Sequence, residues 1–350
     1  MKHQTTRYGE IPFYKIGTFG NTADAFISKK LFLEYRTKYS FPKKGDILIS
    51  ASGTIGRAVI YDGKSAYFQD SNIVWIDNDE TLVKNDFLFY AYSNVKWNTE
   101  HTTILRLYND NFRNTLIPLP PLNEQSAIAN ILSALDRYLC ALDALILKKE
   151  GVKKALSFEL LSQRKRLKGF NQAWQRVRLG DICEIVKGQQ INKISLNNTD
   201  KYPVINGGID FLGYTNKFNV SKNTIAISEG GTCGYIRFMT SNFWSGGHNY
   251  SLQKISNKVN NLCLYHILKS YEKDIMKLGV GSGLKNIQLK ALKDFEIPLP
   301  PLNEQSAIAN ILSDLDNEII SLKNKKRQFE NIKKALNHDL MSAKIRVLEK

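Results

Sequence analysis

Apolar residues recur every three or four positions along two long stretches of the chain. In the first stretch the recurring residues are Ile128, Leu132, Leu135, Leu139, Leu142 and Ile146. In the second stretch they are Ile308, Leu312, Leu315, Ile319 and Leu322. A period of about 3.5 residues, kept over about three heptads, is typical of a coiled-coil seam. The pattern therefore predicts a long helix in each stretch, and a helix from Asn123 to about Arg166 would span roughly 65 Å at 1.5 Å per residue.

The two stretches are copies of one another. The sequence "IPLPPLNEQSAIANILS" occupies residues 117–133 and recurs without a change at 297–313, and weaker similarity continues at the same offset of 180 positions. Its prolines exclude a helix from the first six residues, because proline lacks an N–H and restricts the residue before it. Asn123 and Asn303 follow the prolines and are therefore the predicted N-caps of the two helices.

The segments that alternate with these helices differ from them in kind. They are rich in β-branched and aromatic residues, glycine and asparagine, which favours short strands and turns with some helix. The expected fold class is therefore α+β, a pseudo-two-fold tandem of two mixed α/β domains, each followed by a long helix. The expected parts are a first mixed domain at 1–116, a first long helix at 117–168, a second mixed domain at 169–296 and a second long helix at 297–350.

Both mixed domains contain the pattern I-S-x-x-G-T-x-G between two apolar runs, at residues 49–56 and 227–234. Glycine lets backbone N–H groups approach a phosphate, and the threonine hydroxyl can donate a hydrogen bond, so the pattern fits a nucleic-acid contact. It fits equally a tight turn between two core strands, in which glycine adopts a positive φ. Because two otherwise divergent domains share it, the pattern favours the turn.

The charge of the chain narrows the class of partner. Lys and Arg number 49 against 33 Asp and Glu, a net charge of +16 that is spread over every segment. Such an excess favours a polyanion, nucleic acid first and an anionic membrane surface second. No run of residues approaches the 18 consecutive apolar positions of a membrane span, and the four cysteines have no metal-binding spacing, so we expect a cytoplasmic protein with reduced thiols and no metal site.

Several stretches interleave aromatic, basic and amide residues, as base stacking and base-edge recognition require. They include "KSAYFQDSN" (64–72), "SNFWSGGHNY" (241–250) and "GVGSGLKNI" (279–287), although core packing and ordinary surface loops are alternative explanations. The basic run "QRKRLKG" (163–169) fits either a solvated helix end or a strip that contacts a nucleic-acid backbone. The candidate DNA-binding residues are Ser52, Thr54, Arg57, Lys64, Gln69, Asn72, Arg106, Thr232, Arg237, His248, Asn249, Lys285 and Asn286.

Motifs for catalysis are missing from the sequence. It contains no P-loop, no G-x-S-x-G and no H-E-x-x-H, and its five histidines have no ligand spacing. The Pro-Pro pairs are flanked by leucines, unlike the Asn/Asp-Pro-Pro-aromatic loop with which amino-methyltransferases hold a target base. The sequence therefore predicts a binding protein that carries no catalytic residues and no cofactor of its own.

Taken together, these features resemble the specificity subunits of type I DNA restriction-modification systems. The resemblance rests on the doubled "IPLPPLNEQSAIANIL", the twofold order of domain and helix, and the shared I-S-x-x-G-T-x-G element, and it covers nearly the whole chain. It implies that each mixed domain is a target recognition domain that reads one half of a bipartite, asymmetric sequence in double-stranded DNA. It also implies that the two helices pack as an antiparallel coiled coil, which fixes the spacing of the half-sites.

The resemblance further implies partner subunits. Two modification subunits would bind S-adenosylmethionine and methylate adenine, and restriction subunits that use ATP and magnesium would join them, so these cofactors are expected on the partners only. The candidate partner-binding residues are Pro120, Glu124, Gln125, Pro300, Glu304 and Gln305. The alternatives are a self-contained DNA methyltransferase or nuclease with a recognition domain, a truncated or recombined allele without function, and a coiled-coil scaffold without a role in DNA binding.

The first domain departs from the pattern of the second. In the second copy 29 positions separate Trp174 from Pro203, and "WQRVRLGDICEIVKG" is similar to the usual opening of a recognition domain. In the first copy "EIPFYKIG" (10–17) resembles "KYPVINGG" (201–208) of the second, so Pro12 matches Pro203. Only 11 positions separate Met1 from Pro12, so about 18 residues have no counterpart. We expect one of three causes: a start further upstream, trimming of the allele by recombination, or completion of the domain by another chain.

Overall fold

The computed structural model describes residues 4–67, 72–97 and 106–347. The chain divides into two compact units. Unit one combines residues 1–143 with residues 324–350, and unit two consists of residues 144–323. Each unit therefore contains most of one mixed domain and a section of each long helix.

The helices follow from the apolar periodicity of the sequence, and the strands from its short β-branched runs. The helices are α1 (Lys29–Lys38), α2 (Asn85–Tyr92), α3 (Asn109–Arg113), α4 (Leu122–Leu161), α5 (Leu179–Ile182), α6 (Asn261–Ser270), α7 (Glu272–Met276), α8 (Leu289–Lys293) and α9 (Leu302–Met341). The strands in unit one are β1 (Ile11–Phe13), β2 (Ala25–Ile27), β3 (Ile47–Ser50), β4 (Ala58–Ile60) and β5 (Ile73–Ile76). The strands in unit two are β6 (Gln175–Arg178), β7 (Glu184–Lys187), β8 (Tyr202–Ile205), β9 (Gly213–Thr215), β10 (Thr224–Ser228), β11 (Ile236–Met239), β12 (Trp244–Ser245), β13 (Asn249–Gln253), β14 (Gly279–Val280), β15 (Asn286–Ile287) and β16 (Glu296–Leu299).

The main sheets of the two units share a common three-stranded part. In unit one the order is β4-β3-β5, and in unit two it is β11-β10-β13-β7, so β3 corresponds to β10 and β5 to β13. All of these strands pair antiparallel, with Ile49 opposite Val74 in unit one and Ile227 opposite Tyr250 in unit two. The fourth strand, β7, has no counterpart among the described residues of unit one.

The predicted seam is buried or half-buried along both helices, which confirms the periodicity. In unit one the start of α4 packs with α2 and the end of α9, and this core includes Ile128 and Leu132. In unit two the start of α9 packs with α6 and the end of α4, and this core includes Ile308 and Leu312. The same heptad positions thus form the core of each unit.

Within each unit the two helix sections run antiparallel, as predicted. In unit one Lys333 pairs with Asp136, and Lys326 Nζ lies 2.7 Å from Asp143 Oδ1. In unit two the matching pair is Lys153 with Asp316, and Lys149 Nζ lies 2.8 Å from Glu318 Oε1. Partly buried ion pairs of this kind fix the register between helices more than they add stability.

Both long helices begin two residues earlier than the predicted N-caps imply. α4 starts at Leu122 because the carbonyl of Pro121 already accepts the N–H of Gln125, and α9 starts in the same way at Leu302. Asn123 and Asn303 therefore lie in the first turn, where each side chain accepts the N–H of the next residue, and the N-cap prediction was wrong by two positions, because Pro121 and Pro301 are the N-caps. The proline carbonyl accepts the first helical hydrogen bond, and proline has no side-chain acceptor for the other free N–H groups of the first turn.

The helices also end earlier than Arg166 and its counterpart Arg346. Gln163 and Ala343, which follow the two ends, adopt positive φ values of 60° and 54°. The N–H groups of Lys165 and Lys344 then bond back to carbonyls in the last turns, in the manner of a Schellman motif. This turn directs the chain back along the helix, so that the following arginine can reach a carboxylate in its own unit.

Candidate nucleic-acid interface

The I-S-x-x-G-T-x-G pattern forms the same turn in both units, between β3 and β4 and between β10 and β11. In unit one the N–H of Gly56 donates to the carbonyl of Ser50, and in unit two the N–H of Gly234 donates to the carbonyl of Ser228, at 2.9 and 2.8 Å. The φ angles of these glycines are +79° and +84°, in the region that favours glycine. The pattern is thus a tight turn between core strands, as the sequence favoured.

These two glycines also allow close packing. A Cβ atom at Gly234 would lie 2.8 Å from the backbone N of Met276, and one at Gly56 would overlap the indole of Trp97. The close approach orders the loop that leads into the turn, at residues 51–55 and 229–233. Each loop is therefore a closely packed platform on which neighbouring segments can rest.

In unit two the platform brings three segments together at Glu229. The N–H of Glu229 donates to the carbonyl of His248 at 2.9 Å, and its own carbonyl accepts the N–H of Ile287 at 2.9 Å. A Cβ atom at Gly230 would collide with Oδ1 of Asn286, so that amide lies directly over the loop backbone. The imidazole of His248, the amide of Asn286 and the ammonium of Lys285 are exposed around this point.

In unit one the equivalent loop brings together the equivalent positions. The N–H of Ala51 donates to the carbonyl of Asn72 at 2.6 Å, and its carbonyl accepts the N–H of Leu107 at 2.8 Å. Ser52 also forms an isolated antiparallel bridge with Arg106. By these bonds Asn72 corresponds to His248 and Arg106 to Asn286, so residues proposed separately from the sequence occupy matching positions.

The two clusters differ in charge at their centres. In unit two the Glu229 carboxylate accepts from Lys187 Nζ at 2.7 Å and from the Tyr250 hydroxyl at 3.2 Å, and His248 Nδ1 lies 3.9 Å away. Burial and Glu229 raise the pKa of Tyr250 to about 12. In unit one Ala51 stands in place of the acid, so the same platform presents a different set of donors and acceptors.

Other predicted residues have structural partners. Arg237 Nη2 donates to the carbonyls of Gly208 and Ile209, at 2.6 Å each, so its side chain holds the loop after β8. Burial lowers the pKa of this guanidinium. Arg57 Nη1 donates to the carbonyl of Phe19 at 2.9 Å, and the buried Asn249 accepts from Ser228.

The remaining candidates fall into three groups. Thr54 and Thr232 lie on the loops themselves, exposed and half-buried respectively, and Ser52 is buried. Lys64 follows β4 at the far end of the hairpin from the turn, so the structure does not bring it to the cluster. Gln69 lies outside the described residues.

Sequence reasoning missed the segment that borders the cluster in unit two. Lys187 ends β7. The side chain of Gln190 packs closely against Gly247: a Cβ atom at Gly247 would lie 2.5 Å from Nε2 of Gln190. Asn206 Oδ1 accepts the N–H of His248 at 3.0 Å. The only signal in the sequence was "KGQQINK", a polar run after a strand, which no motif distinguished from an ordinary loop.

Four of the candidate partner-binding residues have internal partners. Gln125 Nε2 donates to the carbonyls of Leu82 and Pro120, at 2.9 and 2.8 Å, and its Oε1 accepts the N–H of Lys84 at 2.8 Å, just before α2. Gln305 makes the same three bonds with Lys258, Pro300 and Asn260, just before α6. Both glutamines are fully buried, and each ties a long helix to the mixed domain before it.

The glutamates of the repeat are the acceptors for the arginines that follow the helix ends. In unit two Arg166 Nε and Nη2 donate to Glu304 at 2.8 and 2.7 Å, and Trp174 Nε1 adds a third bond at 3.0 Å. In unit one Arg346 makes the equivalent fork to Glu124 at 2.9 and 2.8 Å, which lowers the pKa of that carboxyl. Pro300 is buried and Pro120 half-buried, so the structure leaves little of these six residues open to a partner.

The described part of the chain contains no cluster of three or more His, Cys, Asp or Glu side chains able to hold a metal ion. The four cysteines are unpaired, and burial raises the pKa of both Cys183 and Cys263 to about 12. Among the described residues, no helix has the length and apolar character that a bilayer crossing requires.

The clusters around Glu229 and Ala51 offer hydrogen-bond donors, acceptors and positive charge, which suit recognition of base edges and phosphates.

Comparison with known proteins gave one consistent result. A family model described as the type I restriction modification DNA specificity domain matches residues 1–149 and 171–331. A putative type I restriction enzyme specificity subunit of Haemophilus influenzae is 64% identical over 133 residues, which are 38% of this chain and 34% of that protein. A putative specificity subunit from Methanocaldococcus jannaschii is 28% identical over 335 residues, 87% of this chain and 79% of the relative.

The first three curated relatives are matched over less than half of their own length, 34%, 44% and 40%. Among solved structures, the type I restriction-modification S subunit from M. genitalium has a TM-score of 0.72 at 21% identity, over 97% of this chain and 91% of that one. A chain from a structural study of the type I R-M system's assembly and conformational transition has a TM-score of 0.51 at 19% identity, over 85% and 82%. These two likenesses establish a shared fold.

Proposed function

Since the chain belongs to the family of type I restriction-modification DNA specificity domains, whose model matches both of its halves, we propose that it selects a bipartite, asymmetric sequence in double-stranded DNA. Each mixed domain reads one half-site. The observation that carries the proposal is the pair of equivalent clusters, built on the same glycine turn, which present different side chains at matching positions. A common scaffold with different contact residues is what two different half-sites require.

The contacts divide into two kinds. His248 and Asn286 in unit two, like Asn72 and Arg106 in unit one, carry groups that bond to base edges in the major groove. Lys285 supplies the sequence-independent attraction to phosphate that positions the protein. The net charge of +16 supports DNA as the partner, because it favours a polyanion over an uncharged molecule.

The chain itself is non-catalytic in this proposal and acts in the cytoplasm. It directs modification subunits, which supply S-adenosylmethionine and methylate adenine, and restriction subunits, which supply ATP and magnesium. The relatives named above are specificity subunits, and one of the related structures comes from a study of complex assembly. The matched family is a specificity domain in both halves, which gives no support to a self-contained methyltransferase.

The first experiment exchanges residues 1–116 for the same region of another family member and maps adenine methylation in cells that also express the modification subunit. We expect one half of the methylated motif to change and the other to stay. A change in both halves, or in neither, contradicts the assignment of one half-site to each domain. Methylation by the purified chain with S-adenosylmethionine alone would establish the methyltransferase alternative.

The second experiment tests the clusters. His248→Ala and Asn286→Ala should relax the motif only at the half-site of unit two, with a loss of about 10- to 100-fold in affinity, because one good base contact is worth about 1–3 kcal/mol. Asn72→Ala should act only on the other half-site. Lys64→Ala, at the far end of its hairpin, is the matched surface control and should leave both half-sites unchanged.

Partner binding calls for positions other than the repeat motif. Leu132 and Leu312 are fully buried, so a charge there would disrupt the core and would not report on docking. Leu147 and Ile320 are exposed apolar residues on the helices of unit two. The double variant Leu147→Glu/Ile320→Glu should lose co-purification with the modification subunit while it keeps its circular dichroism spectrum, and an intact complex would exclude this face.

A further inference from the structure

In unit two one segment completes the fold in two places. Residues 174–187 form β6, α5 and β7 in succession. β6 pairs with β16, which precedes the long helix, and β7 pairs with the edge strand β13 of the main sheet. Between them Leu179 is fully buried in the core of unit two. The segment thus adds a strand to each of two edges and an apolar plug between them.

In unit one the residues that would receive such a segment are present. The sequence of residues 117–119 is identical to that of residues 297–299 in β16. Glu124 corresponds to Glu304, which accepts the indole N–H of Trp174 in unit two. In the described part of the chain, however, residues 117–119 belong to no strand, and β5 pairs on one side only, with β3.

The exposure of identical residues measures this difference. Ile297 is fully buried, whereas Ile117 is partly exposed. Leu299 is half-buried, whereas Leu119 is 57% exposed, and Leu116 beside it is 93% exposed. Leucine at such exposure leaves apolar surface in water, which costs about 25 cal/mol per Å² relative to burial. The identical sequence is therefore covered in unit two and uncovered in unit one.

A groove lies next to these residues in unit one. It has a volume of about 670 Å³, and its lining includes Ala91, Asp110, Leu116, Pro118 and Met341. Asp110 belongs to α3, which corresponds to α8 at the offset of 180, and α8 packs against α5 in unit two. The groove of unit one therefore has the position that α5 fills in unit two.

We propose that this groove and the edge of β5 that pairs with no strand in the described part of the chain form one docking site for an additional polypeptide segment with the chemistry of residues 174–187. That chemistry is an indole N–H directed at Glu124, a strand with alternating arginines along residues 117–119, a buried leucine in the groove and a second strand on β5. Strand addition to a sheet edge gains its affinity from main-chain hydrogen bonds, and pockets for alternate side chains give it specificity. A segment with this chemistry would meet all four requirements at once.

The end of the second helix supports this assignment. Arg346 bonds to Glu124 as Arg166 bonds to Glu304, and Val347 packs against the core of unit one as Leu167 packs against that of unit two. Lys350 corresponds to Phe170 at the offset of 180. A copy of residues 171–187 attached directly after Lys350 would therefore have the spacing that the native segment has in unit two.

The test uses two probes of the site with the full chain. A fluorescein-labelled peptide of residues 171–188 should bind saturably in an anisotropy titration, with a Kd of about 100 µM or tighter. The same peptide with Leu179→Asp should bind at least about tenfold more weakly. In the second probe, a chain carrying residues 171–187 after Lys350 should gain hydrogen-exchange protection at residues 73–76 and 117–119, and should no longer bind the peptide. A scrambled extension of the same composition is the control.

The outcomes separate the occupants. Protection in the extended chain supports the site even where the free peptide binds too weakly to detect. Absence of both saturable binding and protection overturns the proposal. If the unmodified chain is a dimer whose protection at residues 73–76 falls as it is diluted to the monomer, a second copy occupies the groove, and the proposal of an additional segment is wrong.

Discussion

The two arginine–glutamate forks give an internal comparison, because the same side chains meet in different surroundings. We predict that Arg166→Ala destabilises unit two more than Arg346→Ala destabilises unit one. The Glu304 side chain is 1% exposed and Arg166 is 26% exposed, whereas the Glu124 side chain is 9% exposed and Arg346 is 60% exposed. Water can replace Arg346 at its carboxylate far more easily than it can replace Arg166.

The magnitudes follow from this difference. Removal of one partner from a well-buried ion pair leaves an uncompensated charge and costs about 3–5 kcal/mol. Trp174 remains as a donor to Glu304, so we expect a cost of about 3 kcal/mol for Arg166→Ala. Solvent screens a largely exposed pair, so we expect a clearly smaller loss of stability for Arg346→Ala than for Arg166→Ala.

Hydrogen exchange measures the effect in each unit separately, which matters because a chain of two units need not unfold in one step. The free energy of opening should fall at residues 302–312 in Arg166→Ala and at residues 122–132 in Arg346→Ala. The double variant Arg166→Met/Glu304→Met should recover most of the loss, since it removes the buried charge along with its partner. Equal losses in the two arginine variants would refute the argument that burial decides the strength of the fork.

Three further predictions concern single side chains. Burial lowers the pKa of His266 to about 4, so the unfolded state binds a proton at a higher pH than the folded state does. The free energy of unfolding should therefore fall by up to about 3 kcal/mol as the pH drops from about 6.5 to about 4. Urea unfolding at several pH values should show a smaller dependence on pH in His266→Gln. Gly56→Ala should lower the stability by at least about 2 kcal/mol in thermal unfolding, because it adds backbone strain at positive φ and a clash with Trp97. Gly45→Ala, which has open space around its Cβ atom, is the control and should show the backbone strain alone. Gln305→Leu should cost about 2 kcal/mol, because it removes the partner of one buried carbonyl, that of Pro300, and of two part-buried backbone groups, and a cost below about 1 kcal/mol in denaturant titration would contradict that role.

Much of this architecture could be predicted because it depends on local patterns. The heptad spacing predicts both helices and their buried faces, and the glycine turn follows from residues that tolerate positive φ. The roles of Glu124 and Gln125 could not be predicted in this way. Their partners are backbone atoms of Leu82 and Lys84 and the side chain of Arg346, and nothing in the sequence pattern shows that these lie nearby.

The candidate site shows the same division. The sequence relates Arg106 to the loop of Lys285 and Asn286 through the offset of 180, and it sets the stretch of Asn72 beside that of His248, but it does not show that all four residues meet around one turn in each unit. The bonds to Ala51 and Glu229 pair them without ambiguity, because each loop offers one N–H and one carbonyl to its neighbours. Lys64 lies in a stretch of similar composition, "KSAYFQDSN". Its distance from the cluster follows from the position of β4, which carries the chain to the far end of the hairpin and which composition does not predict.

The seventeen identical residues therefore have more than one cause. Glu124, Gln125 and the seam residues are buried and serve the same internal bonds in both copies. Asn123, Asn130 and their counterparts are exposed in both units and make no bond that requires asparagine over another polar residue. Ile117 and Leu119 differ in exposure from their copies, so packing within the described chain does not require their identity either. Identity at Ile117 and Leu119 is what a docking surface would require if it takes the same kind of segment that pairs with β16 in unit two.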